Sequence, residues 1–403
     1  RFIGREALAA EGIAGPVMNL IILFITGLCI GSGVLMSEAF GAKDYKKLKD
    51  TQATLLLFGL ISSLVLAFLG VVFSPYILKA LACPDEIIHL TNIYLRIIFL
   101  GTPFTFAYNS LAAGLKSVGD SKTPLKFLAF SAILNAFLDL IFLGIFRFGI
   151  ICSALTTVIA EALSALLALF YMVRKEKSLC PEKDNLRIKR SILKPILVYG
   201  GPTALQQAIQ PVGKVLIQSQ VNALGVDVIA AFNAVSRVDD FACIPEQGIA
   251  TAIATFIAQN RGAEKKERIR EGFRCGITLE LSYWVLIAAI SFTFRRPIVS
   301  LFVSGNNALE VIKYGASYLS VMAFLYIFPA LTNGFQGFYR GMGKMYTTMA
   351  GTLIQTSFRT IFTFILAPRF GILGIAYSCA IGWSLMLLFE IPYYFITVKK
   401  RGI

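Results

Sequence analysis

Long apolar segments, separated by short polar or charged connections, set the pattern of this sequence. A bilayer core about 30 Å thick is crossed by roughly 20 helical residues. Lipid offers no hydrogen bonds to the backbone, so such segments are expected to be helices. Eleven segments qualify, at approximately 13–40, 52–80, 88–116, 123–146, 150–173, 194–223, 226–260, 274–303, 309–339, 346–367 and 372–398. The pattern therefore predicts an all-α polytopic membrane protein.

The composition supports a membrane protein and argues against a nucleic-acid-binding one. Of 403 residues, 56% are hydrophobic and 15% are charged, and the mean hydropathy is +0.71, so the lipid bilayer is the expected solvent for much of the chain. The net charge of +15 comes from basic residues placed between apolar segments and not gathered on one soluble face. We therefore expect no nucleic acid partner.

The cysteines and the single histidine do not form a pattern typical of an enzyme active site. The seven cysteines are scattered without CxxC or zinc-ligand spacing, and the single histidine, His89, lies in a short connection beside Asp85 and Glu86. We expect no catalytic residues and no cofactor. A membrane-embedded enzyme is the weakest of the function classes considered.

The distribution of lysine and arginine predicts the orientation. Connections on one side of the membrane, with the C-terminus, hold 26 basic residues, whereas the opposite side holds eight. Basic loops stay on the cytoplasmic side, which predicts a cytoplasmic C-terminus in a multi-pass protein of the cell membrane.

The two halves of the chain repeat each other at an offset near 222 residues. The tetrapeptide RFGI at 147–150 recurs at 369–372, and Gly41 and Tyr94 match Gly262 and Tyr318. The second half has six segments and the first has five, so we expect two pseudo-symmetric six-helix bundles with 11 of 12 helices present and the first helix missing. The predicted domains are an N-terminal lobe (1–175), a cytoplasmic linker (176–192) and a C-terminal lobe (193–403).

Polar residues inside the fourth and fifth segments suggest a cation site. Asn135 and Asp139 are four residues apart and share one helix face, and Thr156 and Thr157 lie on the next helix. Carboxylate, amide and hydroxyl oxygens suit a sodium ion or a proton acceptor. A structural hydrogen-bonded cap explains the same residues equally well.

The second half has no acid at the corresponding positions, which hold Ser357, Arg359, Ile361 and Thr363. A coupling site of this type is therefore expected in the first bundle.

A polar stripe marks the segment 194–223, and the next segment repeats it. Such stripes face water-filled clefts. The predicted substrate-cavity residues are Gln207, Gln210, Lys214, Asn233, Asp240 and Glu246, the last being the candidate titratable acid. The alternative is that the charged members, with Arg237 and Asp239, are mutual counterions that hold the bundle.

Several segments resemble the multidrug and toxic compound extrusion (MATE) family over essentially the whole chain. They are EALAAEGIAGP, SEAFGAKDYKKLK, AAGLKSVGDSKTPL, LNAFLDLIF and ALTTVIAEALS in the first half, and AQNRGAEKKERI and GFYRGMGKMYTT in the second. The resemblance implies two six-helix lobes around a central cavity. It also implies export of organic cations or other amphipathic compounds in exchange for sodium or protons.

By this resemblance the family's first-lobe cation site falls on Asn135, Asp139 and Thr157, which would hold sodium if the protein is sodium-coupled. The family's aspartate on the first helix has no counterpart here. Gln206 and Gln207 stand where some members carry a glutamate.

The leading hypothesis is a secondary antiporter, expected as a monomer, for small amphipathic or cationic substrates, including drugs. The alternative is a flippase of the same superfamily for a lipid-linked or anionic precursor. A basic cavity would favour it, with Lys214, Arg237 and Arg359 as candidates.

Overall fold

A computed structural model describes residues 4–146, 149–182, 187–303 and 308–401. Over these ranges the chain forms thirteen α-helices and one π-helical segment, with no β-strand. By its contacts the chain divides into two compact units, Arg1–Ala204 (unit 1) and Leu205–Ile403 (unit 2). The division falls inside a helix, so the lobe boundaries given above stay a prediction.

Unit 1 is built around a central helix that contacts three others. Its helices are α1 (Gly4–Gly41), α2 (Tyr45–Ala80), α3 (Asp85–Ser117), α4 (Lys122–Asp139), α5 (Ile150–Lys175) and the first part of α6 (Arg190–Asn222). Helix α3 packs against α1, α2 and α5, and α4 packs against α5. The apolar residues of these faces form two buried clusters, around Leu55 and Leu95.

Polar side chains fix the ends of the helices in unit 1. The Asp44 carboxylate accepts a hydrogen bond from the backbone N–H of Lys47 (2.9 Å) at the start of α2, an N-terminal cap. Before α4, partial burial of Asp120 opposes ionisation, but hydrogen bonds from Thr123 and its neighbours outweigh this and hold the pKa of Asp120 below its usual value.

The connection between α5 and α6 is attached to unit 1 over the part that the structure describes. Leu179 is fully buried in the Leu55 cluster. Lys189 forms an ion pair with Asp50 of α2, and Lys49 pairs with Glu182 at 2.5 Å. One apolar side chain and two ion pairs therefore hold this connection against unit 1.

Unit 2 continues from α6 through seven further helices. They are α7 (Val226–Gly262), α8 (Lys266–Thr293), α9 (Arg295–Ser300), α10 (Ala308–Leu325), α11 (Ile327–Gly341), α12 (Met345–Phe370) and α13 (Ile372–Arg401). Helix α7 packs against α8, α10 and α11, whereas α13 packs against α10, α11 and α12.

Two predicted segments are each divided in the structure. The segment 274–303 contains α8 and α9, and the segment 309–339 contains α10 and α11, with Tyr326 between them. Pro329 lies in the first turn of α11, where a missing backbone N–H costs no helical hydrogen bond, and this favours a new helix start.

Nine helices among the described residues are long and apolar enough to cross a membrane. Two predicted spans, 194–223 in α6 and 346–367 in α12, are not among these nine. Polar residues lower the mean hydropathy of these helices, as the polar stripe does on α6. Large apolar side chains such as Leu64 and Phe68 on α2 are 58% and 69% exposed, as expected for a lipid-facing surface.

Candidate functional site

The predicted cation-site residues meet between α4 and α5 in unit 1. The Thr156 hydroxyl donates a hydrogen bond to Oδ1 of Asp139 (2.5 Å), and Nδ2 of Asn135 donates to the hydroxyl of Thr157 (3.2 Å). Asn135 Nδ2 also lies 3.4 Å from the Thr156 hydroxyl. One carboxylate, one amide and two hydroxyls thus converge from two adjacent helices.

Local backbone structure places this cluster. Asp139 is the last residue of α4, and a π-helical segment, Leu140–Ile145, follows it directly. Such segments disturb the regular helical hydrogen bonds and often accompany functional sites. Gly149, in the left-handed region at φ 81°, precedes α5 and allows the reversal that returns the chain to α4. Residues 147 and 148 of the repeated tetrapeptide lie outside the described residues.

Thr156, and not the Thr157 that the resemblance assigned to the cation site, contacts the Asp139 carboxylate. It is buried and contacts Asp139, whereas Thr157 is part-exposed and contacts Asn135. Both threonines also donate to the backbone carbonyl of Ser153 at 2.9 Å, which orients their hydroxyls. Spacing alone does not separate adjacent threonines, because the rotation of α5 against α4 decides which one faces Asp139.

A second acid of unit 1, Glu161, was not singled out from the sequence. Its carboxylate accepts a hydrogen bond from the Thr105 hydroxyl of α3. Both residues line a small cavity that Thr157 also borders, one turn from the Asp139 cluster. The sequence does point to Glu161, because an ionisable residue inside a predicted span is rare and usually functional.

Unit 2 contains a polar cavity of about 360 Å³. Four of the six predicted cavity residues line it, namely Gln210, Lys214, Asn233 and Asp240. Side-chain amides dominate the remaining polar lining, which includes Gln206, Gln218, Gln247, Asn333, Gln336 and Gln355. Phe232, Tyr326 and Trp383 supply aromatic surface.

The other two predicted cavity residues do not line this cavity. On α6 the lining face carries Gln206 in place of Gln207, since positions 206, 210, 214 and 217 follow one helical stripe. Glu246 is 1% exposed and lies behind the wall, where it accepts a hydrogen bond from Nδ2 of Asn333 at 3.3 Å.

Three bases and two acids line the cavity. Lys214 pairs with Asp240 at 3.2 Å. Asp239 accepts a hydrogen bond from the Tyr326 hydroxyl (2.5 Å) and interacts electrostatically with Arg359. Arg340, which also lines the cavity, interacts in the same way with the buried Glu390. Each of these bases thus has an acidic neighbour, but of the predicted counterion set only Lys214 and Asp240 form an ion pair among the described residues.

Comparison with known proteins identifies the family. The MatE family model matches residues 1–141 and 202–365. The probable multidrug resistance protein YpnP of Bacillus subtilis is 30% identical over 355 residues, 88% of this chain and 78% of that protein. The chain belongs to the MATE family. The probable multidrug resistance protein YoeA of Bacillus subtilis is 28% identical over 415 residues, which cover 100% of this chain and 89% of the relative.

A solved structure shares the fold of this MATE protein. The outward-facing conformation of a multidrug resistance MATE family transporter has a TM-score of 0.93 at 20% identity, over 99% of this chain and 89% of that one. The predicted all-α fold of two six-helix bundles is therefore confirmed. This MATE chain is a multi-pass membrane transporter and not an enzyme.

Proposed function

We propose that this MATE protein is a secondary antiporter that exports organic cations, drugs or other amphipathic compounds in exchange for sodium ions or protons. The convergence of Asn135, Asp139, Thr156 and Thr157 in unit 1 carries the proposal, because it joins one carboxylate to neutral oxygen ligands inside a membrane-spanning bundle. We place the protein in the cell membrane with a cytoplasmic C-terminus, on the distribution of its basic residues.

Asp139 is the charged member of this cluster, so binding of a cation changes the net charge of the site. Exchange requires only that the ion and the substrate favour different conformations of the transporter. A cation at Asp139 neutralises the carboxylate and stabilises the α4–α5 contact. Loss of the cation leaves a negative charge beside lipid, which favours a conformation that hydrates it.

The cavity of unit 2 is our candidate for part of the substrate site. Its aromatic side chains offer stacking surface, and its amides offer both donors and acceptors. Lys214, Arg340 and Arg359 each have an acidic neighbour, which weakens the attraction of the cavity for an anionic precursor. The exporter is therefore favoured over the flippase.

Efflux from vesicles tests the function. The purified protein is reconstituted in proteoliposomes loaded with a fluorescent organic cation, and an inward sodium gradient or an inward proton gradient is imposed separately. We expect one of the two gradients to accelerate dye efflux over protein-free vesicles. Equal efflux with and without both gradients would contradict antiport.

A further inference from the structure

Three glutamates of unit 2 are buried. Glu390 accepts a hydrogen bond from Gln336 and interacts electrostatically with Arg340, whereas the other two form no ion pair among the described residues. Glu246 on α7 is 1% exposed and Glu280 on α8 is 0% exposed. Glu280 was not singled out from the sequence, although it lies in the middle of an apolar helix. No role assigned above explains why two acids are retained there.

The two carboxylates, from α7 and α8, both lie against α11. Asn333 of α11 donates a hydrogen bond to Oε2 of Glu246. Its neighbour Gly334 faces Glu280, whose Cγ lies 3.9 Å from the position that a Cβ on Gly334 would take. Glu246 and Glu280 are also within electrostatic range of each other.

These carboxylates have more acceptor atoms than donors. Oε1 of Glu246 and both carboxyl oxygens of Glu280 have no hydrogen-bond partner among the described residues. No lysine or arginine in that part of the chain forms an ion pair with either acid. The titratable neighbours are Cys243 on α7 and Tyr283 on α8, and neither carries a positive charge.

An unpaired buried carboxylate costs several kcal/mol in desolvation, so such a group takes up a proton or a cation instead. Two adjacent carboxylates add mutual repulsion to this cost. One proton lowers both costs, because it neutralises one of the two carboxylates. We propose that Glu246 and Glu280 form a proton-binding pair in unit 2 that holds at least one proton at neutral pH.

Glu246 of this pair lies next to the cavity of unit 2. Cys243, Gln247 and Asn333 line the cavity, and Glu246 lies directly behind them. A small movement of α11 against α7 would open Glu246 to the cavity and its proton to exchange. Any part in transport rests on the antiporter function proposed above. The proton occupancy does not, so the test below can fail while ion-driven efflux stands.

Infrared spectroscopy of the reconstituted protein tests the pair without a transport assay. Protonated carboxyl groups have a carbonyl stretch that ionised carboxylates lack. We expect the spectrum of the wild-type protein minus that of the double variant Glu246→Gln/Glu280→Gln, at neutral pH, to contain the protonated band. The control Glu271→Gln, an exposed acid on the same helix, should remove only ionised-carboxylate bands.

Two further measurements keep the test independent of folding and of other ions. Glu280→Asp retains a titratable group and should retain a protonated band at a shifted frequency. The band should also be unchanged by addition of sodium. Loss of ionised-carboxylate bands alone in the double variant, or disappearance of the protonated band on addition of sodium, would overturn the proposal.

Discussion

Replacement of Thr156 by valine removes the hydroxyl that contacts Asp139 and preserves the shape of the side chain. The hydrogen bond is 2.5 Å long and the threonine is 2% exposed, so water cannot readily replace the lost donor. A hydrogen bond to a charged group contributes about 1.5–3 kcal/mol. That corresponds to a change of about tenfold to about 100-fold in the affinity of Asp139 for its cation.

The direction of the change depends on the coupling ion. A sodium site loses an oriented ligand, so half-maximal efflux should require more sodium. A proton site loses a donor that favours the ionised carboxylate, so half-maximal efflux should occur at a lower proton concentration. The assay is dye efflux from proteoliposomes at graded sodium or pH, with Thr156→Ser as the matched variant that keeps the hydroxyl. An unchanged half-saturation in Thr156→Val, or an equal shift in both variants, would refute the orienting role.

Two substitutions test the packing of the units. Asp50→Asn weakens the part-buried ion pair with Lys189, and a hydrogen bond to a charged group contributes about 1.5–3 kcal/mol, so thermal unfolding in detergent should begin at a lower temperature; an unchanged transition would contradict this. In Gly337→Ala the new Cβ would lie 2.6 Å from the carbonyl oxygen of Ala250, and such overpacking costs about 1–3 kcal/mol. Gly248→Ala is the control, because a Cβ added there would meet no atom within 4 Å. Equal unfolding temperatures of the two variants would argue against the close contact between α11 and α7.

The sequence allowed the helices and part of the site to be predicted because lipid imposes strong constraints on both. Apolar length predicts a span, and four-residue spacing puts Asn135 and Asp139 on one face. The helix breaks were missed, because an apolar segment can continue through a change of direction such as the one at Tyr326. The choice between Thr156 and Thr157 depends on helix rotation, which no local pattern encodes.

Two acids inside the helices were not predicted from the sequence, for a different reason. Glu161 and Glu280 both stand inside apolar helices, so the rule that draws attention to ionisable residues in spans applies to them. Their partners come from helices distant in sequence, as Thr105 does for Glu161, and only the fold reveals such partners. Spacing therefore finds sites within one helix or two consecutive ones, and misses those assembled by packing.

The repeat also explains why only unit 1 is proposed to bind the coupling cation. Residues offset by 222 place Ile361 where unit 1 has Asp139. Nearby, Thr363 and Ser378 share a hydrogen bond of 2.7 Å between hydroxyls, without a carboxylate. On the same helix Arg359 carries a fixed positive charge that interacts with Asp239.

Ion-driven efflux by Asp139→Asn tests the central claim most directly. The substitution preserves the size of the side chain and removes its charge, so the variant should insert and fold like the wild-type protein. We expect it to lose the acceleration of dye efflux by the driving gradient, whereas Glu271→Gln, at an exposed acid of α8 outside both proposed sites, should retain it. Wild-type acceleration in the Asp139→Asn variant would contradict the account.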